Sequence, residues 1–318
     1  MRKTVVTLAT LAVLAILPGC SIKKMAFNSV ADMLAPSPSD KPSEGPNPMV
    51  ALTGESDPEL VGDFFPTALK LYEILHLQNP EHEDLAIITG QLYVTYANAF
   101  VQAPAERYPA EEFDKQDAAY RRAQVFYVRG RDYAVKALDH RYPGFSADVF
   151  GLDDEARAAR LSKCVKKDAS ALYWAGAGLL GAFSLNPLET SYLERLPGTV
   201  AMLEKAADVD PAFSEGAIWE VLTAFYAAAP DSLGGGKDKA HAAYDKAIGI
   251  NGGKNPSTYV TYVRSFCIPT QDSAGYDEYL DKALAIDPDS NPDNRLAVIL
   301  AQRQALWLKE HKADIILE

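Results

Sequence analysis

The sequence predicts an all-α fold, a distorted helical solenoid wrapped around two buried, uncharged central helices. Three observations predict it. No stretch alternates apolar and polar residues long enough to make a half-buried strand. Helix caps and stops recur from Asp57 to the C-terminus. Residues 85–105 and 169–188 hold no Asp, Glu, Lys or Arg, in a chain that is 23% charged. A helix without a charged face is buried on all sides.

The first residues set the compartment. Arg2 and Lys3 precede an apolar run from Thr4 to Leu17, and Leu17-Pro18-Gly19-Cys20 follows. This is the layout of a secretory signal ending at a bacterial lipoprotein cleavage site, with Cys20 as the lipidated first residue of the mature chain. The other reading is an uncleaved signal anchor, although the run is short for a membrane span. Either way the chain leaves the cytoplasm. Ser21 after the cysteine goes with sorting to the outer membrane. The expected location is therefore the periplasm, with a lipid anchor in the inner leaflet of the outer membrane.

The domain plan is a signal peptide over 1–19, a lipidated N-terminal helix and Pro-rich arm over 20–48, and one all-helical domain over 49–318. Ile22, Met25, Ala26, Ser29, Val30 and Met33 follow helical spacing. Five prolines between Pro36 and Pro48 make the arm. Asp57-Pro58-Glu59-Leu60 opens the first domain helix with a cap, a first-turn proline and an acid at the positive end of the dipole. It stops near Asn79-Pro80. The next helix is expected from about 83 to 103, closed by Pro104, and a long one from about 110 to 139. Further helices are expected at about 153–165, 167–184, 188–208, 212–229, 237–250, 256–265, 273–286 and 292–312.

Weak repeats run through these helices. Glu204-Lys205-Ala206-Ala207-Asp208-Val209-Asp210-Pro211 resembles Asp281-Lys282-Ala283-Leu284-Ala285-Ile286-Asp287-Pro288. Asp245-Lys246-Ala247-Ile248 lies between them, and Val135-Lys136-Ala137-Leu138 is an earlier echo. This is a degenerate form of the second-helix signature of tetratricopeptide repeats. Its uneven spacing predicts distortion.

The two uncharged runs form the expected inner layer. In the first, Gln91, Thr95, Asn98 and Gln102 share one side of a helix, while Tyr93, Tyr96, Ala97 and Phe100 look like core. Amides away from bulk water need partners. They bond neighbouring loops, or they line a wet internal passage. The second run opens with Tyr173 and Trp174, and its glycines either allow close backbone approach or leave open space. Trp219 and Tyr226 share a side of a later helix. The candidate ligand contacts are Gln91, Thr95, Tyr96, Asn98, Gln102, Tyr173, Trp174, Trp219 and Tyr226.

Other chemistry is thin. The net charge of −12 argues against nucleic acid and against a polybasic grip on membranes, leaving the N-terminal lipid as the membrane contact. Cys164 and Cys267 fit two buried thiols better than a disulfide. The five histidines lack metal-ligand spacing, so no metal or other cofactor is expected. Gly234-Gly235-Gly236-Lys237 lacks the strand and the following Ser or Thr of a phosphate loop. No catalytic constellation emerges, so an enzyme is not expected.

Six stretches in order resemble one family. They are Ser21-Ile22-Lys23-Lys24-Met25, Thr53-Gly54-Glu55-Ser56-Asp57-Pro58-Glu59-Leu60, Tyr96-Ala97-Asn98-Ala99-Phe100-Val101-Gln102, Tyr127-Val128-Arg129-Gly130-Arg131, Leu172-Tyr173-Trp174-Ala175-Gly176, and Asn294-Arg295-Leu296-Ala297 with Ala301-Gln302-Arg303-Gln304-Ala305. The chain resembles the T component (TatT) of tripartite ATP-independent periplasmic (TRAP) transporters. Ser56 stands where threonine is expected, and Gln304 where arginine is. The resemblance implies an all-helical fold with cryptic tetratricopeptide-like repeats, a homotrimer, and a pore or tunnel in each protomer. It also implies a periplasmic solute-binding protein, the P component, as partner, with hydrophobic or amphipathic ligands. It implies no enzymatic activity. Two functions follow: a transport accessory that conducts a small solute through an internal tunnel, or a tetratricopeptide-like scaffold that binds a protein or peptide alone.

Overall fold

The structure is a computed structural model that describes residues 49–317. The expectations for the signal, for Cys20, for the helix after it and for the Pro-rich arm lie outside the described residues. Every element among the described residues is helical. We number the main ones α1 (Pro58–Gln78), α2 (Glu83–Thr95), α3 (Phe113–Arg141), α4 (Phe145–Phe150), α5 (Asp154–Leu161), α6 (Ala169–Leu185), α7 (Thr190–Val209), α8 (Ala217–Ala228), α9 (Lys237–Asn251), α10 (Pro256–Tyr262), α11 (Ser273–Leu284) and α12 (Arg295–Glu310). A π-helical segment, Tyr96–Gln102, continues α2, and a second, Val263–Cys267, continues α10.

Local chemistry sets the helix starts. The Asp57 carboxylate accepts from Glu59 N at 3.0 Å and Leu60 N at 3.1 Å, with Pro58 in the first turn. Asp153 caps α5, Asn255 caps α10 and Asp272 caps α11 in the same way. The start of α6 is tied down harder. Asp168 is wholly buried, and it holds Arg141, the Tyr142 hydroxyl at 2.7 Å and Val165 N at 2.8 Å. A buried carboxylate needs this many partners. Helix α4 was absent from the sequence expectations; it follows Gly144, whose φ of 82° turns the chain after α3.

Both uncharged stretches lie inside, except the end of the second, where Asn186, Pro187 and Leu188 are exposed. Within 85–105 only Asn98 is exposed, and within α6 only Ser184. Helix α6 packs on α2, α3 and α7, and α2 packs on α1, α3 and α6. The glycines of α6 serve close approach rather than open space. A Cβ at Gly176 would strike the Leu203 side chain, and one at Gly178 or Gly181 would strike Tyr127. Later in the chain, α8 and α9 pack face to face through Ile218, Leu222 and Phe225 against Ala240, Tyr244 and Ala247. Cys164 and Cys267 are buried free thiols, and burial pushes both up to about 11.

Candidate functional site

The site begins with an irregularity in α2. Pro104 has no N–H to give the Phe100 carbonyl, and its ring crowds that oxygen. The turn before it widens, and Ala103 N bonds back five residues to Asn98 O. Pro269 does the same after α10, where Ile268 N bonds to Val263 O. Single π turns of this kind concentrate at functional sites.

The two widened turns are joined by one line of side chains. Asn98 Nδ2 donates to the Tyr127 hydroxyl at 3.1 Å. That hydroxyl donates to Gln102 Oε1 at 2.7 Å, and Gln102 Nε2 donates to Glu106 Oε1 at 3.0 Å. Arg264, from the second π segment, donates to Glu106 Oε2 at 2.8 Å. From Asn98 to Glu106 the bonds run donor to acceptor in one direction, which lets them reinforce one another, and Glu106 ends the row by accepting from Arg264 on its other oxygen. The Tyr127 ring is buried against α6, and burial holds its phenol well above the usual tyrosine range. It therefore stays neutral and keeps the proton it donates.

Behind this polar row stands an aromatic wall. Phe65 lies 5.6 Å from Tyr96 and 5.1 Å from Phe100, centroid to centroid, and Arg122 donates to the Tyr96 hydroxyl at 3.2 Å. Gln91 and Thr95 are half-buried on the same side of the helix as Asn98, without a side-chain hydrogen bond among the described residues. Tyr173 is buried, its ring 4.8 Å from Trp174 and 5.2 Å from Phe213. Trp174 packs into both large apolar clusters of the domain, where its Nε1–H is buried and has no partner among the described residues. A buried donor left without an acceptor costs about 1–3 kcal/mol.

The remaining two candidates sit elsewhere. Trp219 lines a shallow surface depression of about 600 Å³ with Glu204, Asp208, Pro211 and Lys246. Lys246 Nζ lies 4.0 Å above the indole. Tyr226 is buried and donates to Glu204 at 2.7 Å. None of the other candidates lines that depression. Sequence reasoning passed over Tyr127, Glu106 and Arg264, although Tyr127 lay in a noted motif. The signal for the widened turns was present as Ala103-Pro104 and Ile268-Pro269.

Two comparisons bear on the chain as a whole. Residues 54–316 match the family model described as TRAP transporter T-component. The chain belongs to that family. It is also 46% identical over 303 residues to an uncharacterized protein of Treponema pallidum (strain Nichols), covering 94% of each chain. As a T component the chain is an accessory part of a TRAP transporter. No helix among the described residues is long and apolar enough to cross a membrane.

Proposed function

We propose that this T component is a non-catalytic periplasmic lipoprotein, anchored through Cys20 to the inner leaflet of the outer membrane. It docks the solute-binding protein of its transporter and passes a small hydrophobic or amphipathic solute through its body. The observation that carries the solute half is Trp174. A buried indole N–H between two apolar clusters is a polar handle in an apolar setting, the composition of a small-molecule site. The row Asn98, Tyr127, Gln102 and Glu106 would supply the wet side of such a passage.

Self-association, proposed here as a homotrimer, is supported by an exposed apolar ridge. Leu60, Phe64, Leu71 and Ile74 follow heptad spacing with Thr67 on the outer side of α1, 57%, 45%, 44% and 55% exposed, and Leu77 beside them is 73% exposed. An apolar ridge of this size marks a contact surface. The scaffold reading is favoured by the depression at Trp219, which is open and mixed in charge, as a peptide-binding surface would be.

Replacing Trp174 by Phe removes the donor and keeps an aromatic ring. Solute retention and uptake should fall severalfold with stability unchanged or raised; unchanged uptake removes Trp174 from the path. Co-purification with the solute-binding protein tests the partner, and failure to capture it under mild conditions argues for the scaffold. Leu71→Glu with Ile74→Glu should yield monomers by light scattering if the ridge holds the trimer.

A further inference from the structure

Tyr127 points from α3 towards α6, and the other side of α3 carries a regular stripe. Arg122, Arg129 and Lys136 stand seven residues apart, with Phe126 and Tyr133 between them. Seven residues are close to two turns, so all five share one face of the helix. The helix rise sets the three cations about 10.5 Å apart. They lie along the seam between α1 and α3, over α2, which packs on both. Arg122 and Lys136 are exposed, and so is Val125 between the two arginines.

Each cation is held in place, mainly by neutral groups. Arg122 donates to the Tyr96 hydroxyl at 3.2 Å, and its guanidinium lies 5.5 Å from the Tyr96 ring and 5.0 Å from Phe126. Arg129 donates to the Tyr93 hydroxyl at 3.2 Å and lies 5.3 Å from that ring. Lys136 Nζ lies 3.0 Å from Nε2 of the buried His76. An ammonium can only donate, so the imidazole accepts and is neutral. It fixes Lys136 without cancelling its charge. Burial first, then Lys136, holds His76 down to about 4. The chain has carboxylates in excess, at a net charge of −12. Yet among the described residues only Glu73 pairs with this stripe. It takes Lys70 and the Tyr93 hydroxyl at 2.6 Å each and lies 3.7 Å from Arg129. Asp132, on the flank of α3, is taken by Arg131.

The fixing of the cations indicates what they meet. An anionic membrane is gripped by dense, mobile clusters of Lys and Arg. Cations pinned at regular spacing suit carboxylates that are themselves fixed, and arginines beside aromatic rings are the composition of a protein interface. We propose that this stripe of α3 is a docking surface for a folded protein partner, whose carboxylates meet Arg122, Arg129 and Lys136 about 10.5 Å apart. The proposal deepens the docking reading and rests on it for the partner, the solute-binding protein. The apolar ridge lies on α1 rather than α3, so mutation can separate the two contacts.

Interferometry between the mature lipoprotein and the purified solute-binding protein of its transporter tests it. Wild type should bind, with an association rate that falls as salt rises. Arg122→Glu with Lys136→Glu should weaken binding at least about tenfold, chiefly through slower association. Arg122→Gln with Lys136→Gln should weaken it less, and carries the test if the reversed pair does not fold. Lys237→Glu with Lys254→Glu changes the net charge equally on exposed residues at the two ends of α9, and should leave binding within about twofold. Unchanged binding in both stripe variants overturns the stripe and keeps the docking reading. No binding to wild type overturns both. An equal loss in the α9 variant makes net charge the cause and also overturns the stripe. So does a smaller mass by light scattering in the stripe variants, which would give the stripe to contacts between copies of this chain. So does binding of wild type alone to phosphatidylglycerol vesicles with protein capture unaffected, which would give it to a membrane.

Discussion

Residues 96–102 and 263–267 are both π-helical, and both end two residues before a proline. Their side chains make them different objects. The first turns amides outward: Asn98 is the one exposed residue of its uncharged stretch, and Gln102 reaches Glu106. The second is locked by rings. Tyr262 stacks on Tyr279 at 3.8 Å and Phe266 on His241 at 4.1 Å, while Arg264 reaches Glu106, just beyond the first segment. The same backbone device thus yields a hydrated edge in one place and an anchor in the other. What distinguishes them is which side chains the extra residue per turn displaces.

The contact between them should break most visibly at Glu106. Glu106→Leu strips Gln102 and Arg264 of their shared acceptor and leaves Arg264 without its carboxylate. We expect a loss of about 2–3 kcal/mol, read as a fall in melting temperature of roughly 5 °C or more. Tyr127→Phe comes next. It removes one hydroxyl that accepts from Asn98 and donates to Gln102, and should cost about 1–2 kcal/mol with an unchanged denaturant slope.

The proline rule is sharpened by restoring the N–H. Pro104→Ala allows an ordinary turn at Phe100 and should redirect Asn98 and Gln102, with lower hydrogen-exchange protection across 96–103. Pro269→Ala should alter exchange less, because the stacked rings hold the second segment. Either change should stay within about 1 kcal/mol in stability. Equal responses would mean that the rings do not matter.

The smallest effect concerns Glu59. Its bond with Arg303 holds its carboxyl down to about 2, below the ordinary glutamate value of 4.5. A depressed carboxyl stabilises the fold above its unfolded pKa, and that contribution fades as pH falls from about 4.5 towards 2. Arg303→Gln should flatten this stretch of an acid-denaturation curve slightly, since the pair is well exposed and screened by water.

Much of this was readable from residues in order. The caps at Asp57, Asp153, Asn255 and Asp272 are local chemistry, and each helix began where its cap stood. The burial of the two uncharged stretches followed from composition, because a helix without charge has no face to offer water. The glycines of α6 were ambiguous in sequence, since close approach and open space require the same residue. Only the position of the Tyr127 ring and Leu203 decided between them.

The candidate site divides along the same line. Asn98 and Gln102 could be nominated from one helix, and Trp174 from its setting, since each is a polar group in an apolar run. That Trp219 faces a separate depression, and that Arg264 closes the row across 158 positions of chain, depended on how distant helices pack. Amino-acid order therefore determined the helical class, the helix starts and the buried centre, all of which arise from interactions within a few residues or from the partition of charge into water. Tertiary packing alone decided which acids met which arginines, because ion pairs between helices are set by three-dimensional distance, and a linear pattern carries no distance beyond its own turn.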